Sequence, residues 1–183
     1  MTWNDWVRTV EVEPSLYAAD FSRLGEQIDV LLRAGVRIFH FDVGDGHFVE
    51  PITIGPIVLQ SIAPIIHAGG AFIDCHLMTE TPEKHFGAIK KAGGDSVTVH
   101  YEACPDLNSV VLAARAHDLQ VGLAFKPETS AAYAAHAAIS SGVQLEPLGE
   151  EWPQFRHPRR PEFLLTQPHI HGTAGFFIAR LRM

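Results

Sequence analysis

Lysine is scarce in this chain: Lys84, Lys90, Lys91 and Lys126 are the only four among 183 residues. The formal net charge is −7. Nucleic acid and anionic membranes both call for a dense positive surface, so neither is expected as the main partner. A local positive field can still receive a small anionic molecule. Cysteine is nearly absent too. Cys75 and Cys104 are too few for a disulfide framework, and a reducing cytoplasm is the expected compartment. No run of about eighteen apolar residues occurs, and the opening MTWNDWVRTV holds no apolar signal core, so no membrane-crossing segment is expected. What remains is 46% hydrophobic and 19% charged, the balance of an ordinary globular domain.

The first two thirds of the chain alternate between two periods. Residues 10–15 read as a short strand. Residues 21–34 carry Leu24, Ile28, Leu31 and Leu32 at helical spacing, and Gly35 is placed to end that helix. Residues 37–43 (RIFHFDV), 71–77 (AFIDCHL), 95–100 (DSVTVH) and 121–125 (VGLAF) read as further strands. Between them, residues 56–67 suit a helix with Pro56 in its first turn. Residues 82–91 suit one behind Thr81 as N-cap, and residues 106–117 another. Residues 129–140, rich in alanine, are a plausible fifth helix. Strands alternating with helices in this way imply βα units and a parallel sheet.

Open doubly wound sheets and closed barrels both satisfy that alternation. Parity favours the barrel. His40 and Asp42 are two apart on one strand and so share a face; Asp74 and His76 repeat the arrangement, as do Thr98 and His100. Polar groups at the C-terminal ends of successive strands match the active face of a (β/α)8 barrel. Eight units need on the order of 200–250 residues, and only five are legible, so the barrel is expected to be incomplete.

From Gln144 on, the chain holds five of the twelve prolines and five of the ten arginines, but no lysine or aspartate. The stretch EPLGEEWPQFRHPRRPEFLLTQPHIHG shows neither period, and its prolines interrupt both. The expected boundary lies at Gly142, dividing a partial barrel (1–141) from a divergent tail (142–183).

The densest chemistry lies in HFDVGDGHFVEPITIGP, residues 40–56. Two imidazoles and a carboxylate from neighbouring strands (His40, Asp42 and His76) form an N/O donor set suited to a divalent transition metal. The alternative is a group of hydrogen-bonded polar residues at strand ends. Asp45-Gly46-His47 is either part of a site or simply a turn, and Gly55-Pro56 is either an anion-binding helix start or a plain one. Ser15 could touch a ligand or cap locally, and His100 by itself reads as a bonded core histidine. His169 and His171 share a parity but have no further candidate ligand nearby.

Six blocks together resemble the ribulose-phosphate 3-epimerase family over about residues 12–130: EPSLYAADFSRLGEQI, HFDVGDGHFVEPITIGP, DCHLM, TPEKHF, AGGDSVTVHYEA and GLAFKPET. The resemblance implies a (β/α)8 barrel of the ribulose-phosphate binding type, acting as an isomerase in the pentose phosphate pathway. Its substrate would be a phosphorylated pentulose, interconverted between D-ribulose 5-phosphate and D-xylulose 5-phosphate, and its cofactor one divalent cation (zinc, iron, manganese or cobalt). It further implies His40, Asp42 and His76 as metal ligands and Asp42 as one of two acid/base aspartates. Ser15 and His76 would be substrate contacts, and Met78 would line the site. A sibling acting on D-allulose 6-phosphate shares these motifs.

The chain departs from the family pattern in places. Gly44 stands where the family normally has methionine, which removes an apolar wall, and Glu50-Pro51 stands where Pro-Asn is usual. After about Ser130 none of the family's later blocks occurs, and the last aspartate is Asp118, so the second acid/base aspartate has no counterpart. Three readings follow. In an active enzyme, Glu146, Glu150 or Glu151 would replace the aspartate and Arg159 or Arg160 would hold the phosphate. The second is an inactive truncated or frameshifted homologue. The third is a metal or sugar-phosphate binding module, or a homo-oligomer that completes its barrel from another chain.

Overall fold

The computed structural model describes residues 12–126, 128 and 129, together with the backbone of three strands between residues 144 and 182. The chain divides into two units, Met1–Lys126 and Pro127–Met183. The first is built on parallel pairing and the second on antiparallel pairing.

In the first unit the elements run α1 (Leu24–Arg33), β1 (Ile38–Gly44), α2 (Pro56–Ala68), β2 (Phe72–Met78), α3 (Phe86–Ala92), β3 (Ser96–His100), α4 (Leu107–Ala116) and β4 (Gln120–Ala124). The strands form one parallel sheet in the order β1-β2-β3-β4. A parallel sheet with a helix between successive strands is a partial (β/α)8 barrel of the expected kind.

The register explains why the polar residues gather. His40 lies beside Asp74, and Asp74 beside Ser96. One step up, Asp42 lies beside His76, His76 beside Thr98, and Thr98 beside Gly122. Side chains alternate along a strand, so all of these share one face. The other face carries Phe39, Phe41, Val43, Ile73, Cys75, Leu77, Val97 and Val99, all buried. They form one apolar cluster with Ile28 of α1, Leu59 and Ile66 of α2, Phe86 and Ile89 of α3, and Val110 and Ala114 of α4.

Each helix turns into its following strand by the same device. The backbone has positive φ at Gly35, Gly70, Gly93 and Asp118. In each case the next N–H reaches back to the last turn, as Val36 to the Leu31 carbonyl at 3.0 Å and Leu119 to the Ala114 carbonyl at 3.1 Å. Asp118, at φ 57, is the one non-glycine among them. Lys90 Nζ donates to both its carbonyl, at 2.8 Å, and its carboxylate, at 3.1 Å.

Three expectations need correction. The strand at residues 10–15 reduces, among its described residues, to a single parallel bridge between Ser15 and His40. His40 N–H donates to the Pro14 carbonyl at 3.1 Å, but Pro14 has no N–H of its own to continue a ladder. Helices α1 and α3 begin later than their periods suggest, after 3-10 turns at Phe21–Arg23 and Pro82–His85. Thr81 makes no side-chain cap; its carbonyl instead accepts from Lys84 N–H at 3.2 Å.

The second unit contains β5 (Gln144–Glu146), β6 (Phe163–Leu165) and β7 (Phe177–Arg182), antiparallel in the order β5-β7-β6. The stretch expected to carry no strand thus holds β6, a segment short enough to fit between Pro161 and Pro168. The expected helix at 129–140, apart from Thr129, and the boundary at Gly142 lie outside the described residues, as do His169, His171, Glu150, Glu151, Arg159 and Arg160. Among the described residues, no helix is long and apolar enough to cross a membrane.

Candidate metal centre

Strands β1 and β2 bring three donor atoms to one point. His40 Nε2 lies 3.1 Å from Asp42 Oδ1, His76 Nδ1 lies 3.2 Å from the same oxygen, and the two nitrogens are 3.2 Å apart. This is a nearly equilateral triangle. Its centre is about 1.8 Å from each vertex, slightly inside the usual 2.0–2.2 Å metal–nitrogen and metal–oxygen bond length. A divalent cation could be held by all three atoms at once.

The protons on the two imidazoles decide whether these residues suit a cation. His40 Nδ1 faces carboxylates: Asp74 Oδ2 at 3.6 Å and Glu13 Oε2 at 3.8 Å. That side favours N–H, which leaves the Nε2 lone pair for the triangle. Asp74 is in turn fixed from β3, where Ser96 Oγ donates to Oδ1 and Thr98 Oγ1 to Oδ2 at 2.9 Å. Gly122 on β4 keeps room for that bond, since a Cβ there would lie 2.3 Å from Thr98 Oγ1. Glu13, His40 and Asp74 are themselves close enough to be considered as ligands. Asp74 is already engaged by two hydroxyls, however, so this group is better read as a buttress behind His40.

The electrostatics agree with a cation. Burial disfavours charge on His40, but hydrogen bonds to Asp42 and Glu13 and the nearby Asp74 overcome it and raise the imidazole to about 10. Burial also works against the Asp42 carboxylate, yet hydrogen bonds from His40, His76 and Ser15 hold it well below the usual carboxylate range. Asp74 goes the other way, raised by burial that Ser96, His40 and Thr98 only partly offset. Burial and the neighbouring His76 push His100 down to about 4, so its ring is neutral at pH 7. The tightly held proton on His40 shows that the pocket demands positive charge. A metal ion answers the same demand and displaces that proton.

A model of the ribulose-phosphate 3-epimerase family matches residues 11–142. The chain belongs to that family. It is 38% identical over 120 residues to the ribulose-phosphate 3-epimerase of Bacillus subtilis, a match spanning 66% of this chain and 54% of that protein. With the Synechocystis enzyme of the same name it shares 40% identity over 124 residues, spanning 67% of this chain and 53% of that one. The chain thus spans about half the length of the curated epimerases it matches. The phospho-2-dehydro-3-deoxyheptonate aldolase of Thermotoga maritima superposes with a TM-score of 0.55 at 12% identity, covering 72% of this chain and 38% of the aldolase. That likeness is one of fold alone.

Against this epimerase background, His40, Asp42 and His76 meet as their spacing suggests. Ser15 joins them, its hydroxyl donating to Asp42 Oδ2. Met78 ends β2 beside Gly44. Gly44 does not leave an open wall: a Cβ there would meet the Pro51 carbonyl at 2.7 Å and Val49 Cγ2 at 3.1 Å. Thr53 fastens this loop, donating to the Asp42 carbonyl at 2.7 Å and accepting from Gly44 N–H at 2.6 Å. Asp45 acts as a turn residue, its carboxylate accepting from the N–H groups of His47, Phe48 and Glu80. Gly55 precedes α2 with extended backbone and no side-chain cap. Sequence reasoning missed Glu13 and Glu102, which lie outside the strands. The weak signal for Glu102 was its place two residues after His100.

Proposed function

We propose that this chain holds one divalent transition-metal cation on His40, Asp42 and His76, and that Asp42 exchanges the C3 proton of D-ribulose 5-phosphate. The observation that carries the reading is the triangle of one carboxylate oxygen and two imidazole nitrogens with 3.1–3.2 Å edges. Family membership and relatives named ribulose-phosphate 3-epimerase supply the reaction class and the pentulose phosphate.

When bound, the cation supplies Lewis-acid stabilisation of the negative charge that develops on the substrate's oxygens. The rest falls to the chain's own groups. Asp42 is a carboxylate at neutral pH, and half-burial limits its contact with water. It accepts the proton from C3; the C3–H electron pair moves into the adjacent C2 carbonyl and gives an enediolate. Ser15 hydroxyl, bonded to Oδ2, holds the carboxylate's orientation. Return of a proton from Asp42 to the same face regenerates the starting sugar.

Inversion needs an acid on the opposite face, and no aspartate follows Asp118. This chain is therefore an exchange catalyst first and an epimerase only if another group serves that second face. The test is incubation with D-ribulose 5-phosphate and Mn2+ or Co2+ in D2O, followed by NMR at C3. Metal-dependent loss of the C3 proton signal is expected, faster than formation of D-xylulose 5-phosphate and abolished by Asp42→Asn. Exchange no faster than the metal-free blank would end the catalytic reading. Because the chain spans only about half of its relatives, the second reading is a metal-binding module without turnover. Saturable metal binding with no exchange would select it.

A further inference from the structure

The loop that leaves β1 does not stay beside it. In the sheet order β1-β2-β3-β4, β1 and β4 lie at opposite ends, yet residues 45–53 are fastened at the end of every strand in turn. At β1, Thr53 Oγ1 donates to the Asp42 carbonyl at 2.7 Å. Just past β2, Glu80 N–H donates to the Asp45 carboxylate at 2.9 Å. At the end of β3, the Phe48 ring rests on His100, with centroids 4.9 Å apart and planes tilted by 52°. Just past β4, Lys126 Nζ lies 3.9 Å from the centre of the Phe48 ring and donates to the Phe48 carbonyl at 3.3 Å. The loop thus crosses the C-terminal ends of all four strands as a strap.

Lys126 is the far anchor. One ammonium holds both parts of Phe48: the ring face attracts it through the ring quadrupole, and the main-chain carbonyl accepts its hydrogen bond. Lys126 is itself fixed, because its backbone N–H donates to Glu102 Oε1 at 2.9 Å, in the turn after β3. The other three lysines serve elsewhere, Lys84 in the turn before α3 and Lys90 and Lys91 in α3. Beneath the strap, His100 is only 9% exposed and the His76 side chain 18%.

We propose that Lys126 is a positioning residue that draws Phe48 across the strand ends, and that this strap sets how fast a cation and solvent reach the imidazoles beneath it. The strap stands on its own geometry; the cation in it rests on the metal reading above. Neither Lys126 nor Phe48 supplies a donor atom to the triangle. A cation held equally well with the strap open or closed cannot shift that balance. Loosening the strap therefore speeds entry and exit together and leaves affinity nearly unchanged.

The test is carried out on the full chain with Lys126→Met, which keeps the length and removes the charge, and Phe48→Leu, which keeps the charge and removes the ring. Lys126→Arg, which keeps both the charge and the donor, is the rescue variant. Stopped-flow mixing with Co2+ reads entry, and a chase with excess chelator reads release. Both rates should rise about 10-fold in Lys126→Met and in Phe48→Leu, the scale of one lost cation–π contact, and stay near the natural values in Lys126→Arg. Metal-free chains treated with diethyl pyrocarbonate give a second reading. His76 and His100 should be modified faster in the first two variants, while His67, paired with Asp95 at the other end of α2, keeps its rate. Unchanged rates in both variants, or a faster release with unchanged entry, would overturn the proposal, the latter because Lys126 would then build the site rather than close it. A natural chain that binds no Co2+ would sink the metal reading, and the histidine modification rates would then decide the strap.

Discussion

The two faces of the parallel sheet are made from the same strands, residue by residue in alternation, yet they do opposite work. The helix-packed face is a layer of Phe39, Phe41, Ile73, Leu77, Val97 and Val99, with no polar group to satisfy. The other face carries His40, Asp42, Asp74, His76, Ser96, Thr98 and His100, each tied to a neighbour on an adjacent strand, in the same turn or further along the chain. Burial of apolar area stabilises the first face without direction. The second is directional, and each bond in it fixes where a proton or lone pair points. Stability and chemistry thus sit one residue apart along each strand.

The largest expected effect breaks the comparison from the apolar side. Phe41→Ala empties a fully buried site and should cost about 3–5 kcal/mol in denaturant unfolding, while Co2+ affinity of the protein that remains folded stays unchanged. A loss below about 1 kcal/mol would mean that this face is not the core. On the polar side, Gly122→Ala places a Cβ 2.3 Å from Thr98 Oγ1. The hydroxyl must leave Asp74, so about 1–3 kcal/mol of stability should go, and here Co2+ affinity should weaken as well. Equal affinity in this variant would show that the Asp74 buttress does not reach His40.

The smallest effect lies outside both faces. Asp106 caps α4, accepting from Ser109 Oγ at 2.6 Å and from Asn108 N–H at 3.1 Å. Its hydrogen bonds with the Ser109 side chain and backbone hold it below the ordinary 3.8. A folded value below the unfolded one means the cap's contribution is full above pH 4 or so and is lost as pH falls through the folded value. Thermal melts of the natural chain and Asp106→Ala should therefore differ at pH 7 and converge in acid. A gap that stays constant with pH would show that the carboxylate charge is not what caps the helix.

Much of the first unit was legible from period alone, because residues such as Ile28, Leu59 and Val97 answer to burial within their own helix or strand. The same parity exposed His40, Asp42 and His76. What stayed hidden depends on tertiary placement. Glu13 and Glu102 lie on segments without a period, and their approach to His40 and His100 is set by where the chain enters and leaves the sheet. Ser15 reads as the end of a strand, whereas among the described residues it makes a single bridge, to His40. Gly44 looked like a missing wall, but Pro51 and Val49 crowd the place where a side chain would be. In the tail, strands as short as Phe163–Leu165 between prolines offer too few residues for any period to show.

The central claim is that three side chains from two adjacent strands share one cation. Titration of the metal-free full chain with Co2+, followed by its visible absorption, tests this most directly. The account predicts saturation at one ion per chain, with the band lost in Asp42→Asn. A featureless titration, or a band of equal strength in that variant, would contradict it.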